Sequence, residues 1–472
     1  MQPLQVISKQ EIEQIHQTTL RILSEVGIIL DHSETRHILL EAGASIKNDR
    51  VIFPPKLVEK CLESCGGTVS IKGRNGKTVT IGDGTTHWHN LGGARDILDP
   101  VTGEARNSTV QDIRDSTRVL DAIENASTIT PLYTPIDVPG EIMSLAMYRH
   151  ALSNTIKPIH GPGVQTPYEV KISVEMAEVI GPASEYLSVG VSPVSPLHFP
   201  DDIAASIVEI ARNNLSFGPL PCPTAGTTAP MSLAGALSQQ NAEVLASVVI
   251  AQCTTPGLPI FYCGRLAMME PKTGISVWGG VELGIASAAT VQIGHYYGFP
   301  VNVYGLSTNA LSHDLQNGSE RAFNALMPAL AGADELSGIG EMNAGIMSSL
   351  TQIVVDNEIV SSIKRIMRGF EVNQNSLALE VISSVMNGSG NFLTEKHTLN
   401  YMRAGEIYYT KLGERRTFAE WNRTGRKGMV ERAHEEVERI IAQHEVTPLS
   451  NDQERELDKI LLSAEKQLVN NK

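Results

Sequence analysis

No run in this chain approaches the roughly 18 uninterrupted apolar residues of a membrane span, so a membrane protein is not expected. No GxGxxG or GxxxxGK[ST] occurs either, which removes the usual signatures of a nucleotide-binding open sheet. Cysteine is scarce: Cys61, Cys65, Cys222, Cys253 and Cys263 are odd in number and irregularly spaced, which excludes a disulfide framework. Basic charge is in deficit, with 38 Lys and Arg against 52 Asp and Glu and a net charge of −14. Sequence-independent nucleic-acid binding needs basic surface, so that class is excluded too. The first 30 residues read as a polar start and an amphipathic helix over 11–26, without a basic-then-apolar leader. A cytoplasmic protein with free thiols is the expectation.

What is present is a normal globular composition, 42% hydrophobic and 19% charged with 40 glycines, over 472 residues. Residues 1–125 read as an N-terminal α+β cap. Helical periodicity runs to about Cys65, then short Gly- and Thr-rich β pieces follow at 68–72, 78–82 and 85–98. From about 126 the pattern becomes regular. Apolar runs at 128–134, 157–161, 186–192, 220–224, 259–264, 300–305 and 335–340 read as strands, with a possible eighth at 391–394. Helical segments fall between them at 201–213, 232–252, 281–297, 320–330 and 351–368. Repeated β-then-α units imply a parallel sheet buried on both sides. The fold class is therefore α/β, a (β/α)8 TIM barrel over 126–400. The charged helices at 432–444 and 452–468 form a C-terminal extension over 401–472, packed on the barrel.

In such a barrel, chemistry lies where strands end and βα loops begin. That rule selects Tyr262 and Arg265, then Tyr304 and His313, then Glu341 and Met342. Glu341 and His313 are the candidate catalytic residues. Tyr262, Tyr304, Trp88, Arg265, Asp96, Met342 and Leu350 are the candidate substrate-binding set. His87-Trp88-His89 puts two imidazoles on one strand face, but no third ligand follows at suitable spacing, so no protein-bound metal is expected. A Schiff-base lyase is disfavoured because Lys157 sits at the start of its strand and no lysine ends one.

Three runs carry a resemblance. One is Ala225-Gly226-Thr227-Thr228-Ala229-Pro230-Met231-Ser232, continuing through Gln240-Asn241-Ala242-Glu243 to Pro256-Gly257. Another goes from Phe299-Pro300 through Ser307-Thr308-Asn309 to Asp314-Leu315-Gln316, then Ala331-Gly332-Ala333-Asp334. The last is Asn391-Phe392-Leu393-Thr394-Glu395-Lys396-His397-Thr398. Together they resemble the trimethylamine methyltransferase superfamily, in its large branch that lacks pyrrolysine. The resemblance implies a TIM barrel, a methylamine-type substrate and a separate corrinoid protein that accepts the methyl group. No cofactor is bound by the chain itself on this reading, cobalamin arriving as Co(I) with the partner, and a homo-oligomer is expected. In the founding enzymes a pyrrolysine occupies the loop matching 310–313, where this chain has Ala310, Leu311, Ser312 and His313.

Leaving-group chemistry points the same way. A quaternary ammonium departs as a neutral tertiary amine and needs no proton, whereas a tertiary amine needs protonation or capture first. A switch to quaternary amines such as glycine betaine, proline betaine, carnitine or γ-butyrobetaine is the expectation. Aromatic faces would hold the cation, and Arg265 or His313 the carboxylate. The competing class is a barrel that binds a quaternary amine without turnover, as a sensor.

Overall fold

The computed structural model describes residues 2–388 and 390–469 of the chain. One parallel sheet orders Tyr262–Gly264, Val301–Tyr304, Glu335–Ile339 and His87–Asn90 side by side. A second parallel sheet holds Ser216–Pro219, Leu187–Val191 and Ile159–Gly163. Parallel bridges join them, from Phe217 to Ile260 at one edge and from Ile159 to Ile129 at the other. Ser127 N donates to Trp88 O at 2.8 Å, tying the segment at Ile129 to the first sheet. Each of these segments leads into a helix, among them Val110–Ala122, Pro167–Glu178, Leu233–Thr254, Val281–Tyr296, Leu315–Ala331 and Leu350–Arg368.

Local sequence explains where the helices begin. Thr166 and Glu169 form a reciprocal capping box around Pro167, which needs no amide partner at a helix start. Asp314 accepts from Asn317 N to cap Leu315–Ala331, and Gly332 ends that helix at φ 94°, where a side chain would be strained. Leu233–Thr254 is buried on nearly every side because the N-terminal helices Lys9–Arg21 and Pro55–Glu63 pack over its outer face. The charged C-terminal helices Met429–Gln443 and Asn451–Leu468 bury narrow apolar stripes, Ala433, Val437 and Ile440 on the first and Leu457 and Ala464 on the second. Buried Arg149 fixes the last helix through Glu454 at 2.5 Å and Asp458 at 2.8 Å.

Three expected strands differ. The run at 220–224 carries Pro221 and Pro223, which cannot donate to a ladder, and the strand lies earlier at Ser216–Pro219. Over 128–134 only Ile129 and Tyr133 make bridges, with Pro131 between them. At 391–394 there is no strand: Leu393 N donates to Asn391 Oδ1 in a side-chain-closed turn. The place beside Glu335–Ile339 is filled instead by His87–Asn90, from the N-terminal part of the chain. All five cysteines are free thiols. Among the described residues no helix is long and apolar enough to cross a membrane.

Candidate active site

A cavity of about 450 Å³ lies at the C-terminal ends of the parallel strands. Small residues on the strands' inward faces make the room. At Gly218 a side chain would meet Cys263 Sγ at 2.7 Å, and at Gly190 it would meet Leu220 at 2.5 Å. Neighbouring residues on these strands do not all reach the space. His89 and Cys263 line it, whereas the flanking Trp88 and Tyr262 do not.

Beneath the cavity lies a polar cluster built around Glu335, which is wholly buried. Its carboxylate accepts from His160 Nε2 at 2.9 Å, Thr128 Oγ1 at 2.8 Å and Asn302 Nδ2 at 2.5 Å. Burial alone would raise its pKa; the imidazoles of His160 and His89 and these hydrogen bonds outweigh that and hold it well below the usual range. Asn302 Nδ2 also lies 3.0 Å from His89 Nε2, which must then accept. Burial lowers His89 to about 4, so its ring is neutral near pH 7.

Asn302 connects this floor to the cavity wall. Its Oδ1 accepts from Arg265 Nη2, and its backbone oxygen accepts from Arg265 Nη1 at 3.0 Å. The guanidinium is buried, with its carbon 4.4 Å from the centre of the Tyr304 ring. Tyr304 is in turn braced edge-on by Trp278 at 5.2 Å. Arg265 is thus satisfied by amide and carbonyl oxygens rather than by a carboxylate. On another side of the cavity, Glu169 accepts from Gln165 N at 2.7 Å, Thr166 N at 2.9 Å and Ser144 Oγ. Arg265 and Glu169 are the only Arg, Lys, Asp or Glu among the described lining residues.

Of the residues expected from sequence, the structure brings Arg265 and Tyr304 into the cavity wall together. Tyr262 points outward and donates its hydroxyl to Asn241 Oδ1 on the surrounding helix at 2.7 Å. Trp88 is fully buried core. Asp96 pairs with Arg95 at 2.7 Å, Met342 packs with Leu98 and Met347, and Leu350 opens its helix against the main core. None of these five lines the cavity. Glu341 and His313 also lie outside its wall. Glu341 is fully buried, accepts from Ser307 Oγ at 3.1 Å and is pushed up to about 8 by burial. His313 is lowered to about 4 by burial and by Arg321, and its Nε2 is buried without a partner.

Sequence reasoning missed Asn302, His160, Glu335 and Glu169. The first two carried a signal: a polar residue inside an apolar strand run must find a buried partner. Among the described residues no group of three or more His, Cys, Asp or Glu is placed to hold a metal ion.

Comparison with known proteins now decides the family. The family model described as trimethylamine methyltransferase (MTTB) matches residues 1–467. The chain belongs to this family. Trimethylamine methyltransferase MttB of Desulfitobacterium hafniense is 30% identical over 451 residues, covering 94% of this chain and 90% of that protein. A glycine betaine methyltransferase of the same species is 25% identical, covering 93% and 92% of the two chains. The solved monomethylamine methyltransferase of Methanosarcina barkeri aligns at a TM-score of 0.48 and 12% identity, covering 98% and 92%. Within the trimethylamine methyltransferase family, this chain therefore has similar relatives named for a tertiary amine and for a quaternary one.

Proposed function

We propose that this chain transfers an N-methyl group from a small, carboxylate-bearing quaternary amine to the Co(I) corrinoid of a separate protein. The observation that carries this reading is the charge pattern of the cavity. Its wall presents one buried guanidinium, Arg265, and one buried carboxylate, Glu169, on elements three strands apart. A zwitterion such as glycine betaine, proline betaine, carnitine or γ-butyrobetaine complements that pair; trimethylamine has nothing to offer Arg265. The eight linked segments are read as a closed (β/α)8 barrel whose mouth is the cavity, in a cytoplasmic enzyme.

The chain's own work in this mechanism is orientation. Arg265 takes the substrate carboxylate, with its plane fixed by Asn302 and Tyr304. The ammonium end then lies toward Glu169 and the ring of Phe261, which also lines the cavity. The corrinoid supplies the nucleophile when its carrier docks at the mouth. Departure as a neutral tertiary amine requires no acid, which suits a site whose His89 is uncharged and whose Glu335 stays ionised. Holding the methyl carbon in line lowers the barrier by several kcal/mol through orientation. The grip on the cation must stay moderate, because positive charge disperses in the transition state.

The test is methylation of Co(I) cobalamin by the purified protein under anoxic conditions, followed by absorbance. The panel is trimethylamine, glycine betaine, proline betaine, carnitine, γ-butyrobetaine and choline. Turnover of a carboxylate-bearing quaternary amine supports the reading. Turnover of trimethylamine alone contradicts it, and tight binding of a betaine without transfer, cognate corrinoid protein included, would make this a binding protein.

A further inference from the structure

The polar cluster beneath the cavity leaves one nitrogen unused. His160 sits on the strand Ile159–Gly163 and lines the cavity. Its Nε2 must donate to Glu335 at 2.9 Å, because that carboxylate is ionised and has no proton to give. Nδ1 is then the free nitrogen. It has no hydrogen-bond partner among the described residues, and it is not sealed from the cavity. Glu335 is itself held by Thr128 and Asn302, so the imidazole cannot turn away without breaking a bond to a buried charge. A carboxylate that orients an imidazole whose other nitrogen opens to a cavity is the arrangement of a proton-transfer group.

The neighbours of the ring place it within the site. Phe261 meets it edge-on at 5.7 Å, and the His89 ring lies at 5.2 Å. His160 therefore stands at the end of the cavity that the ammonium occupies in the function proposed above. The other titratable groups lining the cavity are poor sources of a proton. His89, lowered to about 4 by burial, is neutral near pH 7, and its Nε2 accepts from Asn302. Glu169 spends both oxygens as acceptors, toward Ser144 Oγ and toward the Gln165 and Thr166 amides. Burial pushes the Cys222 thiol up to about 11 and the Cys263 thiol up to about 12. Burial also raises the Tyr304 hydroxyl, and Arg265 is bound to Asn302.

Demethylation creates a need for a proton at that end. As the methyl group passes to the corrinoid, the C–N bonding pair stays on nitrogen as a lone pair, and the positive charge leaves the amine. That lone pair is the nucleophile of the reverse transfer, so the methyl group can return until the nitrogen is protonated. Glu169 and Glu335 have meanwhile lost the cation they faced, which favours a proton in its place. We propose that His160 is a catalytic residue that gives a proton from Nδ1 to the newly freed amine and so commits the methyl transfer. This step rests on the function proposed above. The imidazolium N–H bond breaks, the amine N–H bond forms, and water reprotonates the imidazole. Nothing is oxidised or reduced in the proton transfer, and departure of the amine still precedes it.

The experiment measures kcat/KM for methylation of Co(I) cobalamin as the pH is raised from about 6 to 9. The substrates are the panel betaines and dimethylsulfonioacetate, the sulfonium analogue of glycine betaine. The thioether that the sulfonium leaves is not basic and needs no proton. In the wild type the betaine value should fall with rising pH, by up to about tenfold per unit, and the sulfonium value should not follow it. His160→Gln keeps a donor for Glu335. Near neutral pH it should lower the betaine value ~10–100-fold and flatten its pH profile, with a loss on the sulfonium at least about tenfold smaller. Parallel profiles for the two substrates in the wild type, or equal losses on both in the variant, would overturn the proposal. The wild-type comparison decides even where the variant does not fold. Methyl transfer with parallel profiles removes this proposal alone, whereas no transfer from any betaine removes the methyltransferase reading and the proposal with it.

Discussion

Glu335 opens a strand and Glu341 follows the end of the same strand, both are wholly buried, and their surroundings push them in opposite directions. Around Glu335 three donors converge, and the carboxylate stays ionised well below the ordinary range. Glu341 has one hydroxyl, from Ser307, and the nearby Arg321 is already committed to Asp356 at 3.0 Å. Its carboxyl consequently rises to about 8. Burial is common to both, so burial does not decide the charge; the imidazoles beside Glu335 and the donors converging on it do. The ionised one anchors the chain of contacts through Asn302 to Arg265, and the neutral one keeps the Ser307 hydroxyl as its partner.

The largest effect should come from removing the anchor. Glu335→Gln leaves donors facing an amide that also donates, and should destabilise the fold by ~3–5 kcal/mol in denaturant titration. Because its folded pKa is depressed, Glu335 stabilises the wild type above about 4.5, its value when unfolded. That contribution fades as the pH falls below 4.5, so the difference between variant and wild type should shrink in acid.

Glu341→Gln should act with the opposite sign. Folded, Glu341 keeps its proton to about 8, while unfolded it ionises near 4.5. Wild-type stability should therefore fall as pH rises between those values, and the variant should escape that loss, gaining roughly 2–4 kcal/mol at pH 8 and nothing near pH 4. Equal pH profiles for the two proteins would break the contrast between the sites.

Smaller effects follow the chain outward. Asn302→Leu frees Arg265 from its fixed plane, and kcat/KM for a betaine should drop by ~10–100-fold while binding of a carboxylate-free amine is unchanged. Tyr304→Leu removes only the face beneath the guanidinium, and KM should rise by ~2–5-fold. A larger fall in kcat than rise in KM at Tyr304 would give that ring a role in the reacting geometry.

Much of the architecture was legible in the sequence, since strands such as Glu335–Ile339 and helices such as Asp201–Arg212 and Val281–Tyr296 fall within a residue or two of their periodic patterns. Where prediction slipped, a local rule was overlooked: prolines moved the strand to Ser216–Pro219, and an Asn-closed turn replaced one at 391–394. The site was harder to read. Choosing residues at strand ends picked Arg265 and Tyr304, which line the cavity, but took Tyr262, whose hydroxyl turns to the surrounding helix, and Trp88, which is buried core, over Cys263 and His89. Asn302 and Glu335 lie inside the strands, where only knowledge of which segments adjoin could pair them. Glu169 reads in sequence as a helix cap, and its second face, toward the cavity, depends on the tertiary fold.

The account's central claim is that Arg265 selects a substrate carboxylate, and the most direct measurement is kcat/KM for glycine betaine and for tetramethylammonium with wild type and Arg265→Ala. The account predicts that the substitution lowers the betaine value by ~100–1,000-fold and leaves the tetramethylammonium value within a few-fold. Equal losses on both substrates, or none on the betaine, would contradict it.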